Sequence, residues 1–193
     1  MNRVRVGDVV ALDRQMIPIN PNELYTNLGV RSFGKGVFHY DPVPGAKLSR
    51  LRFFRVKKDR LLLSNIKAWE GAIAVTSGRD EHCVASNRFL PYMPIENAVD
   101  VNYLRFFFLS GLGLPLIQRA SPGSADRNRT LAMSRFEAIE IPLPSLDEQR
   151  WIAETTQLTA TAAEEVARRR EEQERRLAAL PFATFRSMFE ALS

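Results

Sequence analysis

The sequence predicts an α+β protein. A mixed α/β globular head, mostly strands, covers residues 1–143; a long α-helix and a short C-terminal helix cover residues 144–193. Three observations predict this. Residues 3–141 break into short apolar stretches punctuated by Gly, Pro, Asn and Asp, the pattern of short strands joined by turns. No Gly and no Pro occurs between Ser145 and Leu180, so that run reads as one uninterrupted helix. Pro181 closes the run, and Phe182, Phe185, Met188, Phe189 and Leu192 follow at helical spacing.

Arg3 to Leu12 alternates around Gly7-Asp8 and reads as a strand with a turn. Gln15 to Tyr25 is a loop, because Pro18, Asn20, Pro21 and Asn22 are turn formers. Leu28 to Phe38 carries three glycines among apolar residues and reads as strand–turn–strand. Asp41 to Gly45, with two prolines, is a loop. Leu51 to Ile66 is β-rich on either side of Lys57-Lys58-Asp59-Arg60. Ala72 to Val75 is a short strand, Ser77 to Glu81 a turn, and Cys83 to Tyr92 a further strand. Asp100 N-caps a helix that runs to Leu109, and Leu114 to Arg119 forms a second one. Ser121 to Thr130 is a polar loop, and Glu137 to Ile141 returns the chain to the core.

Pro144 ends the head, and Ser145 and Glu148 have capping-box spacing. Asp147 and Glu148 lie in the first turn and Arg175 and Arg176 near the far end, matching the helix dipole. A helix of roughly 35 residues is about 50 Å long, where an ordinary globular helix has about 11–12 residues. Such a rod suits a spacer or a partner-binding element. Ile152, Thr156, Thr159, Ala163, Val166, Arg170, Gln173, Leu177 and Leu180 follow a heptad. Only about half of these positions are apolar, so the seam needs a companion helix and further protein surface. Pro181 is expected to break the rod, and the Phe-rich face beyond it to dock on the rod or on a partner.

Composition is that of a globular protein, with 45% hydrophobic and 25% charged residues. The single cysteine, Cys83, excludes an internal disulfide and suits a reducing compartment. No apolar run reaches the roughly 18–20 residues of a membrane span, and residues 1–5 lack the apolar region of a signal peptide. The expected location is cytoplasmic, with no membrane partner. The net charge of +5 is unevenly spread. Residues 1–143 hold 20 Lys/Arg and 13 Asp/Glu, whereas residues 144–193 hold 7 and 9. A basic head points to a polyanion partner or to a solvated basic surface.

Catalytic motifs fail on inspection. Gly29 to Gly36 approaches a P-loop, but Gly36 replaces the magnesium-binding Ser or Thr and no helix can readily open at Val37-Phe38-His39. The histidines His39 and His82 and Cys83 show no metal-ligand spacing, and neighbours on a strand point to opposite faces, so no metal site is expected. No nucleophile elbow, nuclease acid-x-Lys pair or S-adenosylmethionine fingerprint occurs. What remains is a basic, aromatic, polar surface. Lys47, Arg50, Arg52, Arg55, Lys57, Lys58, Arg60 and Lys67 are opposed locally only by Asp59, and outward cations on one strand share a face. Ser64-Asn65 with Lys67 and Trp69-Glu70 forms a polar turn whose groups either read base edges or hold a loop; Ser86-Asn87-Arg88 is similar. Arg119 to Arg129, with Arg127 between them, is a turn-rich basic loop.

The ordered segments Gly29–Phe38, Ser64–Ile66, Trp69–Ala72, Ser86–Phe89 and Ser121–Ser124 resemble a target recognition domain of the specificity (S) subunits of type I restriction-modification systems. Ile141-Pro142-Leu143-Pro144-Ser145-Leu146-Asp147-Glu148-Gln149 resembles that family's exit from the domain into a long helix. The resemblance implies a non-catalytic, double-stranded-DNA-binding subunit that reads one half of a bipartite site. Methyltransferase (M) subunits would dock on it and, indirectly, the restriction (R) subunit. It also implies no cofactor on this chain, with S-adenosylmethionine and ATP on the partners. Lys58-Asp59-Arg60 stands where the family often has Gly-Asp-Leu. One recognition domain stands where an S subunit has two, so the chain is expected to be a half-subunit. It would act as a homodimer through a paired coiled coil or pair with another half-subunit. On this reading Arg31, Lys35, Lys47, Arg50, Ser64, Asn65, Lys67, Trp69, Ser86, Asn87, Arg88, Arg119, Arg127 and Arg129 are the candidate DNA contacts. Ile152, Thr159, Ala163, Val166, Leu177, Leu180, Phe185 and Phe189 are the candidate partner-helix contacts. The alternative is a protein-binding adaptor or regulator derived from an S subunit, with no DNA-reading role.

Overall fold

The computed structural model describes residues 2–96, 98–123 and 129–190, apart from the side chains of residues 183, 189 and 190. The candidate DNA contact Arg127 and the Phe189 side chain lie outside the described residues. Two compact units form, Met1–Ala153 and Glu154–Ser193.

The first unit opens with β1 (Arg3–Arg5), a helical turn α1 (Val6–Val9) and β2 (Val10–Leu12). The expected strand is interrupted because Val6 and Val9 are both buried, and a three-residue spacing shares one face only in a helix. Next come β3 (Met16–Ile17), β4 (Leu24–Tyr25), β5 (Leu28–Val30), β6 (Val37–His39) and β7 (Val43–Pro44). β8 (Phe53–Arg55), β9 (Leu61–Ser64), β10 (Ile73–Val75), β11 (Val84–Ser86) and β12 (Phe89–Pro94) complete the strand-rich part. α2 (Val101–Leu109), α3 (Leu114–Ala120), α4 (Met133–Glu137) and β13 (Glu140–Pro142) follow.

The central sheet has the order β10-β9-β12-β2, and all its pairs are antiparallel. β9 lies inside it and is buried throughout, with three leucines before Ser64, because both of its faces are covered. Leu61 and Leu63 join a core with Ile73, Tyr92, Leu104, Phe108, Phe136 and Ile141. Leu62, on the opposite face, joins Leu28, Phe54, Val56 and Cys83. Burying each large side chain contributes about 1.5–3 kcal/mol. A second sheet, β11-β8-β3, flanks that smaller core, with Phe54 toward it and Phe53 toward Tyr25 and Val84. β5 and β6 form a separate hairpin. β1 pairs with β13 in the register Arg3↔Pro142, Val4↔Ile141 and Arg5↔Glu140.

α2 begins at Asp100, whose carboxylate accepts from the N–H groups of Asn102 (2.8 Å) and Tyr103 (2.9 Å), as the sequence predicts. The helix α5 (Leu146–Glu190) begins at the expected capping box. Ser145 N donates to Glu148 Oε2 (2.9 Å), and Glu148 N donates to Ser145 Oγ (3.4 Å). Its start is tied to the head by Gln149, only 1% exposed. Gln149 Oε1 accepts from Asp100 N (2.9 Å), and Gln149 Nε2 donates to Pro144 O (2.9 Å). Tyr103 OH donates to Pro142 O (2.7 Å), and Ala153 is buried in the main core. The helix's first two turns thus belong to the first compact unit.

Within the second unit the helix is regular through Pro181, which corrects the expected break and separate terminal helix. Proline removes one backbone donor and crowds the carbonyl four residues back, a cost of about 3 kcal/mol. Helix formers on both sides, Leu177-Ala178-Ala179-Leu180 and Ala183, favour continuation. Glu165 pairs with Arg168 (2.9 Å) and Arg169 (2.7 Å), and Glu172 pairs with Arg176. Leu158, Val166, Leu177, Leu180, Phe182, Phe185 and Met188 are exposed on this unit. Among the described residues no helix is long and apolar enough to cross a membrane.

Candidate nucleic-acid interface

Five segments distant in sequence meet on one side of the head. The first is the tip of the β5–β6 hairpin, closed by Arg31 N donating to Gly36 O at 2.9 Å. A strand, not a helix, follows this glycine-rich segment, consistent with rejecting it as a P-loop. The tip docks on the turn that follows β9. Phe33 N donates to Glu70 O (2.9 Å), Gly34 N to Gly71 O (2.9 Å) and Ser32 Oγ to Glu70 Oε2 (2.9 Å). Gly71 holds φ +79°, and a Cβ there would stand 3.3 Å from Leu109 Cδ2, so this turn requires glycine. The third segment is the Asn87-Arg88 turn, with Arg88 O accepting from Asn65 N at 2.7 Å. The fourth is Arg129 to Leu131, with Leu131 N donating to Asn65 O at 2.8 Å. The fifth is the end of α3, where Gln118 Nε2 donates to Trp69 O at 3.3 Å.

Trp69 is the hub. Its indole N–H donates to Ile66 O (3.1 Å), while Lys67 Nζ lies 5.3 Å and the Arg129 guanidinium 5.0 Å from its ring centre. Lys67 also donates to Glu70 Oε1 at 2.8 Å. That bond holds the Glu70 carboxyl below the usual range; burial opposes it and the Ser32 hydroxyl adds to it. Exposed Arg31, stacked 4.7 Å above Phe38, and exposed Lys35 and Arg88 complete a positive, aromatic-centred surface.

Other predicted contacts lie elsewhere. Ser64 and Ser86 are buried as the last residues of β9 and β11, just before the turns. Asn65 and Asn87 are half-buried, and each has an amide oxygen with no hydrogen-bond partner in the chain. Lys47 and Arg50 are exposed before β8; that loop meets the Asn87 turn through Asn87 N donating to Arg52 O (2.8 Å). The expected shared cationic face is corrected in part. Asp13 takes Lys57 (2.9 Å) and Arg60 (2.8 Å) into ion pairs. Burial disfavours the Asp13 carboxylate, but the bonds from Lys57 and Arg60 outweigh it and hold the carboxyl low.

Arg119 lines a separate cleft of about 340 Å³ together with Arg3, Arg135 and Glu140 over an apolar floor. Sequence reasoning missed Arg3 and Arg135, because nothing local links residues 3, 119 and 135. Arg3 lies 3.8 Å from the Glu140 carboxylate, and three guanidiniums against that one carboxylate leave the cleft with an excess of positive charge. The expectation that His82 and Cys83 diverge is also corrected. Both precede β11, where strand alternation does not apply, and donor atoms of His39, His82 and Cys83 lie within 4.8 Å of one another. Cys83 is fully buried, and burial pushes its thiol up to about 11, with Asp80 adding to the shift, so it is no thiolate nucleophile.

Residues 2–168 match the family described as the type I restriction modification DNA specificity domain. Searching the curated proteins gives no match. Among solved structures, the chain is similar to the HsdS subunit from Thermoanaerobacter tengcongensis, with TM-score 0.72 and 20% identity over 89% of this chain. A chain from a structure of the type I R-M system, described for its complex assembly and conformational transition, gives TM-score 0.73 and 16% identity over 93%. The type I restriction-modification S subunit from M. genitalium gives 0.53 and 14% over 86%. The chain spans 45%, 47% and 40% of those three chains, less than half of each. At these identities the likeness shows the fold, a strand-rich α+β head with a long helix. The family match covers most of the chain, which therefore belongs to the type I restriction modification DNA specificity domain family.

Proposed function

We propose that this domain is a sequence-reading module for double-stranded DNA that recognises one half of a bipartite site. The observation that carries the reading is the convergence of Arg31, Lys35, Lys67, Arg88 and Arg129, from four separate segments, on the side of the head where Lys67 and Arg129 flank Trp69. Cations reaching one surface from loops suit phosphate contacts, and the Arg88 and Lys67 side chains on the two polar turns suit contact with base edges. The Arg3–Arg119–Arg135 cleft supplies a further phosphate site. The domain itself is non-catalytic and needs no cofactor. A methyltransferase subunit carrying S-adenosylmethionine, and an ATP-driven restriction subunit, perform the chemistry.

The helix supplies the geometry between two readings. Its exposed Leu158, Val166, Leu177 and Leu180 suit a second S-type helix, from another copy of this chain or from a different recognition domain. At 100° per residue Phe182 and Phe185 fall roughly opposite that stripe, which leaves a second face for the methyltransferase subunit. No feature of the fold favours the adaptor alternative.

The test is fluorescence anisotropy of the chain with its methyltransferase subunit on double-stranded DNA across a salt series. Sequence-preferring binding is expected, with affinity falling steeply as salt rises. Arg119→Ala and Arg135→Ala should each flatten the log–log salt slope by about one. Binding that shows no sequence preference, even with the methyltransferase subunit present, overturns the reading.

A further inference from the structure

His39, Asp80, His82 and Cys83 form a cluster remote in sequence from the interface turns. His39 ends β6, whereas His82 and Cys83 precede β11. The His82 Nε2 and Cys83 Sγ atoms are 3.5 Å apart, and the two imidazoles meet edge to face with centroids 5.2 Å apart. One donor atom from each of His39, His82 and Cys83 lies within 4.8 Å of the others. We propose that these three side chains bind a zinc ion, with a water in the fourth position.

The donor set suits that metal. Two imidazoles and one cysteine sulfur, whose thiol releases its proton to solvent as the metal binds, are borderline-soft ligands, which select zinc over magnesium or calcium. Zinc–nitrogen bonds of about 2.0–2.1 Å and zinc–sulfur bonds of about 2.3 Å place tetrahedral ligand atoms about 3.3–3.6 Å apart. The sulfur–nitrogen pair already has that separation. The wider spacing closes by a shift of about 1 Å, and His82 is exposed and so has room to turn toward His39, which Asp80 holds.

Asp80 supplies the supporting interaction. Its carboxylate is nearly buried, with 3% exposure, and its Oδ1 lies 2.8 Å from His39 Nε2. Its Oδ2 accepts from Ser77 N (2.7 Å) and Ser77 Oγ (2.9 Å), so it cannot swing away cheaply. A fixed carboxylate behind a histidine sets the tautomer and leaves the other ring nitrogen for a metal. The ion would staple the β5–β6 hairpin to the β11 side of the head, at the end away from Arg31–Lys35. This site does not depend on the DNA-reading proposal.

The test uses the untagged full chain, stripped with a chelator and then titrated with Zn²⁺ against a chromophoric competitor. One equivalent should bind and should raise the thermal midpoint. Co²⁺ should give a near-ultraviolet thiolate charge-transfer band that Cys83→Ser abolishes. His82→Ala, at an exposed position where folding is preserved, should remove binding, with the fold checked by circular dichroism. Asp80→Asn should weaken binding by about 10–100-fold, as expected for a group acting through a ligand. Failure to bind Zn²⁺ at micromolar concentration overturns the proposal, as does binding that is unchanged in a well-folded His82→Ala variant.

Discussion

Replacing Gln149 tests whether the start of the long helix is locked to the head. Gln149→Leu keeps the volume but removes both amide bonds, stranding the Asp100 N–H and the Pro144 carbonyl. Gln149 is 1% exposed, so water does not readily replace the amide. An orphaned buried donor costs about 1–3 kcal/mol, and a half-buried carbonyl that water can reach costs less. Allowing for the gain in apolar burial, the net loss is about 2–3 kcal/mol. For a chain of this size, that is a fall of about 5–10 °C in Tm. Urea unfolding followed by circular dichroism, with a thermal scan as check, measures it. Gln149→Glu separates the two bonds, because it keeps the acceptor for Asp100 N and loses the donor to Pro144. It also buries a charge beside Asp100, so its penalty should shrink as falling pH neutralises the new carboxyl. A loss below about 0.5 kcal/mol for Gln149→Leu, which is within the range of ordinary surface changes, would refute the lock.

Asp13→Asn should cost about 1–3 kcal/mol at neutral pH by weakening the bonds from Lys57 and Arg60. The Asp13 carboxyl is held below its unfolded value of about 3.9, so its contribution is full above that pH and is lost as pH falls through the folded value; urea midpoints of wild type and variant should therefore draw together as pH falls below about 3.9. Gly71→Ala forces an L-residue to φ +79°, at about 1–2 kcal/mol. It should also loosen the docked hairpin tip, read as faster amide exchange at Gly34, whose N–H bonds Gly71 O; unchanged Gly34 exchange would count against the docking. Nitroxides at positions 174 and 187 on a Cys83→Ser background should report one separation near 20 Å for a helix continuous through Pro181. A short or bimodal distance would restore the break that the sequence predicts.

Local signals were readable from the sequence. The Asp100 cap, the Ser145–Glu148 capping box and the glycine-marked β5–β6 hairpin depend on residues within a few positions of one another. What was not readable depends on distant partners. Nothing near Lys57 and Arg60 announces Asp13 as their counter-ion. The basic cleft joins residues 3, 119 and 135 through the β1–β13 pairing and the packing of α3 and α4. Ser64 and Ser86 look like turn residues, yet they are buried strand residues. His82 and Cys83 converge because they sit in a turn, and His39 reaches them from another hairpin. Pro181 shows a breaker overridden by the strong helix formers around it.

The β1–β13 pair has a consequence beyond the stability of that edge. Arg3 faces Pro142, and Leu143 N donates to Asn2 O at 3.0 Å, so the chain enters and leaves the head at neighbouring points. A head whose two ends meet can be exchanged as a cassette. Another domain with the same end-to-end spacing could replace residues 3–142 provided that it supplies its own partner for the Gln149 amide, now Asp100 N, and its own packing for Ala153; the Ser145–Glu148 cap stays with the helix. Domain exchange of this kind succeeds where termini lie close together. On the proposed reading, recombination at these two adjoining boundaries would swap one recognition head for another on the same helix.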